Sequence, residues 1–407
     1  MSQIKLNHSG GNGVIIAAPS SNPASDRTLT LPSDADGTIV SKDTTNNLAN
    51  IASINNGAIG TRNLLHNGNF VVAQRAVSST STSYRTVDRW LATINGHDET
   101  FTQAQVDVTS GTTPYTQGFR KAYSITNGNQ TSGAQSNSFV FVYQKIEAQD
   151  IANSGWNYTD TNSFITLSFW VKSSVAQNFT GYIKAEDANY VYPFETGSLS
   201  ANTWTKVTKT IPGNSNLVFN NDINTGMIVV FNPYLGTDYT DSGTSAHTWS
   251  PYVSASRSPV STTTWWTTND ATFQITGVQL EVGSTASSYA HESYGETLRK
   301  CQRYLYILDL GSLSLVMNFQ LHRLHYNTGA PHQYVSWPVP MRTAPSMTKD
   351  GTSYTGGGYT SNILLGSAHS TAGILYGDTS VVAGSSLWHR VNNVSGSTLR
   401  YLFSAEL

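Results

Sequence analysis

Charge is scarce in this chain. Asp, Glu, Lys and Arg make up 12% of its 407 residues, about half the usual share of a globular protein. The 23 basic and 25 acidic side chains leave a net charge of −2. The cations are scattered rather than gathered in a stripe, which argues against nucleic acid as a partner. There is a single cysteine, Cys301, so an intrachain disulfide framework is excluded. No apolar run approaches the roughly 20 residues of a spanning helix, and no membrane insertion is expected. The residues after Met1 to Lys5 are polar, unlike the apolar centre of a secretory signal. The expectation is a protein made in a cytoplasm.

What is present points to β structure. Hydrophobic residues reach 38% and aromatics 11%. Aromatics at that level with so little charge are not the composition of a disordered chain. Ser, Thr, Asn and Gly fill much of the rest, which suits a neutral surface rich in hydroxyls and amides. A chain of this length has room for two or three domains.

The stretch 273–308 organises the rest. Residues 273–282 alternate with the two-residue period of a strand. Val278, Leu280 and Val282 fall on one face with Gln274 and Thr276; Phe273 and Ile275 fall on the other with Gln279 and Glu281. Gly283 stops the strand and 284–288 reads as a loop. Ser293-Tyr294-Gly295-Glu296 fits a capping box. After it Leu298, Cys301, Leu305 and Leu308 recur at helical spacing. The expected division is therefore 1–67, 68–293 and 294–407.

The fold class expected is mainly β. Strands are expected in the body at 69–75, 88–93, 101–108, 120–126, 139–146, 165–172, 180–185, 204–211, 227–231 and 273–282. Short strands of this kind with turn signals between them argue for a sandwich. The segment 1–67 has short apolar pieces at 14–18 and 28–31 and a turn at 34–37, too little to bury a core alone. Residues 46–59 read as a short helix or a linker. The C-terminal part reads as small and mostly β, opened by one capped helix. Its strands are expected at 313–322, 333–338, 363–365, 387–392 and 399–404, with a Gly-rich loop at 355–360.

Few residues invite chemistry. The polar stretch 232–272 carries Tyr234, Tyr239, Trp249, Tyr252, Trp265 and Trp266. Exposed rings among short polar groups form a platform for the C–H faces and hydroxyls of a sugar. The same rings equally suit an oligomer interface or a loop stapled to the sandwich. Glycan cleavage requires two carboxylates roughly 5 to 10 Å apart, and no motif singles out a pair; Glu186, Asp187 and Glu195 read as solvated turns. His322 and His325 share a face only on a helix, and no CxxC or HExxH spacing is present. Cys301 reads as a buried inert thiol. No catalytic residue, metal ligand or cofactor is assigned.

Several segments carry a resemblance. Residues 273–304 contain ITGVQLEVG followed by SYGETLRKCQRY. With 63–75 (NLLHNGNFVVAQR), 86–90 (TVDRW), 165–172 (ITLSFWVK) and 340–348 (PMRTAPSMT), they sample the chain from about residue 62 onward. In order and spacing they resemble bacteriophage tail-fibre and receptor-binding proteins with a carbohydrate-binding-like jelly roll. The resemblance implies a jelly-roll body and a virion fibre that forms a homotrimer. It implies that 1–67 attaches to a phage tail or adaptor protein, and that a later part adheres to host cell-surface polysaccharide. It supplies no catalytic residues. A purely structural tail or neck appendage, and a glycan depolymerase, remain the alternatives.

Overall fold

The computed structural model describes residues 3–7, 13–17, 53–54, 57–58, 62–130, 133–309, 332–350, 363–377 and 400–407. The chain divides into two units, Met1–Ile51 and Ala52–Leu407. In the first, β1 (Gln3–Asn7) and β2 (Gly13–Ala17) pair antiparallel, with Ile4 opposite Ile16 and Leu6 opposite Val14. In the second, β3 (Ser53–Ile54) and β4 (Gly57–Ala58) form a small antiparallel ladder within the stretch read as helix or linker. The expected features at 28–31, 34–37, 313–322, 355–360 and 387–392 lie outside the described residues, as do His322 and His325.

The body is a β-sandwich of two six-stranded antiparallel sheets. One runs β13 (Thr205–Pro212), β10 (Phe164–Ser173), β16 (Thr272–Val282), β8 (Lys121–Thr126), β7 (Thr102–Asp107), β5 (Ser78–Ser79). The other runs β15 (Ser250–Pro251), β12 (Tyr190–Ser198), β11 (Asn178–Ala185), β14 (Thr225–Leu235), β9 (Phe139–Glu147), β6 (Leu91–Asn95). Short helical turns α1 (Thr113–Thr116), α2 (Ala148–Ala152) and α3 (Thr264–Thr267) interrupt it. The chain passes repeatedly between the sheets, as in a jelly roll. The expected class, mainly β with a jelly-roll body, is what the structure has.

The core follows from alternation. Ile165, Leu167, Phe169 and Val171 share one face of β10 and are all 0% exposed. Phe169 meets Phe231 of β14 edge-on, 4.8 Å between centroids. Each such side chain contributes about 1.5–3 kcal/mol by leaving water. The opposite face of β10 is covered as well: Thr166, Ser168 and Trp170 are buried.

β16 departs from simple alternation. Ser168 pairs with Gln279 but Trp170 pairs with Thr276, so β16 carries one extra residue there. The extra residue sits beside Gly277, whose φ of +61° only glycine adopts without strain. The bulge shifts the phase of the strand. Phe273 and Ile275 before it, and Val278 and Leu280 after it, all enter the same core. Uninterrupted alternation placed those two pairs on opposite faces, and the bulge is the physical reason it failed.

Beyond the bulge β16 finds a new neighbour. It pairs with β8 only from Thr272 to Ile275. Further on, Leu64 N donates to Leu280 O (2.9 Å) and Val278 N to Gly68 O (2.9 Å). Asn63 Oδ1 accepts from Leu280 N at 3.0 Å, and Leu65 is in the core. Residues from 62 onward are thus built into the sandwich, ahead of the break expected after 67. The expected strand 69–75 is irregular, with Phe70 at φ +57°. The strand expected from 88 begins at Leu91. β12, absent from the expectations, contains Pro193, which punctuates the sequence like a turn. Pro193 pairs with Tyr182 on one side, and β15 reaches only Tyr190 and Val191 on the other. It therefore lies where the strand has become an edge and no amide donor is required.

The C-terminal part opens with α4 (Tyr294–Gln302), whose N-cap Ser293 accepts from Glu296 N at 3.2 Å. The reciprocal half of the capping box is not made: Glu296 turns its carboxylate to Arg299. The helix ends at Gln302, and Leu305 and Leu308, read as its continuation, lie in β17 (Leu305–Asp309). β17 pairs with β22 (Arg400–Ser404), and β22 with β19 (Ser346–Asp350). A second sheet runs β18 (His332–Ser336), β21 (Ala372–Gly377), β20 (Ile363–Gly366). Trp337, Met341, Leu375, Tyr401 and Phe403 form the core here. No helix among the described residues is long and apolar enough to cross a membrane.

Candidate functional site

The six aromatics expected to form a sugar platform are mostly inside. Trp265 and Trp266, on α3, are 0% and 1% exposed. Asn127 Nδ2 reaches their carbonyls at 2.6 and 3.1 Å and that of Thr268 at 3.0 Å, tying the turn down. Tyr234 is buried against Trp266, 5.1 Å between centroids. Trp249 packs on Tyr192 and donates its indole N–H to Pro212 O at 2.7 Å. A ring with no open face cannot stack on a sugar, so these four staple the loop to the sandwich. Tyr239 and Tyr252 are half-buried and meet at Arg257, whose guanidinium lies 4.6 and 5.6 Å from their rings. Apart from the buried Tyr234–Trp266 pair, the structure brings these two together, as a cover over the outer face of the β9–β11–β14 sheet.

All the segments that carry the resemblance except 165–172 contribute to a clamp. Asn67 (φ +53°) and Arg89 (φ +71°) occupy left-handed backbone, rare for side-chain-bearing residues. Asn67 holds Val72 N and O and the Asp88 carbonyl, and its own carbonyl accepts from the Trp90 indole at 3.2 Å. That geometry sends Asp88 and Arg89 inward, 1% exposed each. Arg89 donates to Glu406 Oε2 (2.7 Å) and Lys145 O (2.7 Å), and lies 3.3 Å above the Tyr304 ring. Arg303 grips Glu147 through two bonds of 2.7 Å, and Tyr304 OH donates to the same carboxylate at 2.5 Å. Burial opposes the Glu147 charge, yet these bonds hold its carboxyl below the usual range. Arg342 donates to the carbonyls of Ala405 and Glu406. The clamp fastens the C-terminal part to the sandwich.

Burial within the clamp moves several groups. His66 is pushed down to about 3 by desolvation and then by Arg89. Desolvation raises Asp88 to about 6 although Gln74 bonds both its oxygens. Cys301 is fully buried and its thiol pushed far up by burial, as an inert thiol should be.

Open space lies on the outer face of the β10–β16 sheet. Glu281 accepts Ser287 N (2.8 Å) and Ser287 OH (2.6 Å), and Gln279 Oε1 accepts Ala290 N (2.8 Å). These two side chains, adjacent on one face of β16, hold 284–291 over the sheet. Tyr289 and His291 then pack on Phe119, each 5.0 Å away, and His291 Nε2 lies 3.0 Å from Gln117 O. Between this wall and Lys206 is a cleft of about 480 Å³, floored by Trp170 and Ser168 and rimmed by Gln117, Ser287 and Ser288. Its volume is that of an ordinary small-ligand site. Among the described residues that line it there is no carboxylate. No group of three or more His, Cys, Asp or Glu among the described residues is placed to hold a metal ion. Glu186 and Asp187 serve their own surroundings, pairing with Lys184 and Asn220.

Sequence patterning did not single out this cleft. Its residues come from five separate stretches, and Gly277 was the one local signal. A Cβ there would meet the Phe119 ring at 2.6 Å, so the glycine lets the wall approach the sheet.

No protein-family model matches the chain, and no curated protein matches it. Solved structures do. One is the enzymatically active domain of tailspike protein 4 of bacteriophage CBA120, 11% identical with a TM-score of 0.28, covering 54% of this chain and 21% of that one. Another is a putative sugar binding protein from Bacteroides thetaiotaomicron, 14% identical with a TM-score of 0.28, covering 54% and 99%. A third is TmCBM61 in complex with β-1,4-galactotriose, 9% identical with a TM-score of 0.25, covering 54% and 98%. The match spans about a fifth of the tailspike chain. These are partial likenesses at low identity, and what each of those proteins binds is a property of that protein.

Proposed function

We propose that this chain is a virion fibre protein that adheres to host surface glycan, and that the cleft beside Trp170 is a sugar-binding site. The observation that carries the sugar reading is the composition of that cleft. Trp170 and Phe119 close it from below and from the side, both buried, and hydroxyl, amide, imidazole and ammonium groups form its open rim. Such a rim, without a carboxylate, pairs with the hydroxyls of a saccharide. The order of the resembling segments supports the virion assignment, with attachment through 1–67 and assembly as a homotrimer. Three copies on one fibre raise the effective concentration of each further contact, so weak single sites suffice.

The test is binding of the full chain to an array of host-type oligosaccharides, beside a Lys206→Ala/His291→Ala double variant. Both side chains are exposed, so the fold tolerates their loss. The double variant is expected to lose about tenfold or more in affinity, the worth of one or two polar contacts in a site. Equal binding by both proteins removes the cleft from consideration, and absence of any glycan binding removes the adhesin reading. A purely structural appendage is the second reading. It is favoured by the burial of Trp265, Trp266, Tyr234 and Trp249, which makes them packing residues.

A further inference from the structure

Rings and charges alternate on the outer face of the β10–β13 pair. Trp170 of β10 stands opposite Lys206 of β13, and Val171 opposite Thr205. Lys172 and Trp204 come next along the two strands, on the same face as Trp170 and Lys206. The Lys172 ammonium lies 5.2 Å from the centre of the Trp204 ring. Trp170 and Trp204 pack in one cluster with Phe119 and Tyr289, which wall the cleft. Lys206 lines that cleft, whereas Lys172 stands outside its lining.

The two lysines are diagonal neighbours, about 7–8 Å apart at their roots. Like charges so placed repel each other. Among the described residues neither forms an ion pair. Glu281, on the outer face of β16, is 3% exposed and spends its oxygens on Ser287 and Gln279. Burial pushes the Lys172 ammonium below its usual range, and no carboxylate acts against that shift. Ring contact with Trp204 holds the Lys172 side chain in place without neutralising it. A chain with only 12% charged residues thus keeps two uncompensated ammonium groups side by side, at the edge of an open cleft. Trp170 is buried, so recognition in that cleft falls to the polar rim, and charge is the strongest element of the rim.

We infer that the cleft beside Trp170 takes an acidic saccharide, whose carboxylate lies between Lys172 and Lys206. One carboxylate oxygen faces each ammonium, and charge-assisted bonds of this kind are about twice as strong as neutral ones. Gln117, Ser287 and Ser288 on the opposite rim pair with sugar hydroxyls. Lys172 is then a specificity-determining residue, which reads the charge of the ligand from just beyond the cleft. The inference rests on the glycan-binding reading above and adds to it the class of sugar.

The experiment is calorimetric titration of the full chain, at low salt, with three acidic oligosaccharides of different backbone, each beside its methyl ester. The three are trigalacturonate, a hyaluronan tetrasaccharide and trisialic acid. Lys172→Gln, Lys172→Arg and the Lys206→Ala/His291→Ala variant are titrated in parallel, with circular dichroism to confirm folding. At least one acid is expected to bind about tenfold more tightly than its ester, the worth of a charge-assisted bond. Lys172→Gln is expected to lose that preference, Lys172→Arg to keep it, and the double variant to lose it together with the site. Equal binding of acid and ester that the double variant abolishes overturns the acid reading and leaves the cleft reading in place. A preference for acid that survives in Lys172→Gln or in the double variant also overturns it, because the charge is then read elsewhere. Loss of the preference in Lys172→Arg as well as in Lys172→Gln assigns the effect to shape and overturns it too. No binding of any acid or ester by the folded wild type removes both readings.

Discussion

At Gly277 a missing side chain decides the course of a strand. Its φ of +61° admits the bulge that brings Val278 and Leu280 onto the same face as Phe273 and Ile275. Alanine there would be strained and would press on Phe119. Gly277→Ala is expected to cost about 1–3 kcal/mol, read as a lower urea midpoint with an unchanged slope. A neutral result would mean that the bulge tolerates a side chain. Arg89 works through charge instead. Its partner Glu406 has a side chain 7% exposed, and removal of one member of such a pair leaves the other buried and uncompensated. Arg89→Met is expected to cost about 3–5 kcal/mol. Glu406→Gln in the same background should recover part of that loss; if the two losses simply add, the clamp is not the coupled unit described above.

Elements are held here by side chains that satisfy backbone groups where no ladder exists. Asn63 completes the edge of β16, Gln279 and Glu281 hold the strap 284–291 over the sheet, and Asn127 closes the carbonyl end of α3. A chain poor in charge uses amides for this purpose because they both donate and accept. Asn127→Ala strands the carbonyls of Trp265, Trp266 and Thr268, at a cost of about 1–3 kcal/mol. Trp fluorescence should report it, as the two indoles gain access to water and their emission shifts to the red. Unchanged emission and unchanged stability would show that the turn is held by packing alone.

At the scale of the whole molecule, the clamp contributes to the acid response. Between about 3 and 6.5 the unfolded chain binds a proton at His66 that the folded chain refuses, so stability falls as pH drops through that window. Asp88 acts in the opposite sense. From about 6 down to 3.8 the folded chain holds the extra proton, so stability rises as pH drops. Glu147, held below its ordinary value of 4.5, adds a loss as its carboxylate is protonated. The melting midpoint is therefore expected to stay nearly level between about pH 6 and 4.5 and to fall below that. In His66→Asn the share of His66 is gone, and the midpoint should rise as pH drops from 6 towards 4.5. Parallel curves for the two proteins in a calorimetric pH series would sink this assignment.

The sequence by itself determined the class of fold. Its alternating apolar runs, such as Ile165 to Val171, have only one way to leave water, as strands of a sandwich, and Ser293 marks the start of α4 through a local bond. The lone Cys301 excluded an intrachain disulfide scaffold for a reason that holds in any conformation. Tertiary structure alone decided which aromatics face solvent. The pair Trp265–Trp266 has the same local pattern whether its turn lies on a surface or in a core, and it is buried because Asn127, 138 residues away, holds the turn. Tertiary structure also decided where Leu305 and Leu308 belong: their spacing suits a helix, but pairing with β22 makes them strand. The clamp and the cleft beside Trp170 are assembled from residues that are close only after the chain has passed between the sheets. Spacing along the chain records local bonds, whereas these sites depend on contacts between segments hundreds of residues apart, as Arg89 and Glu406 are.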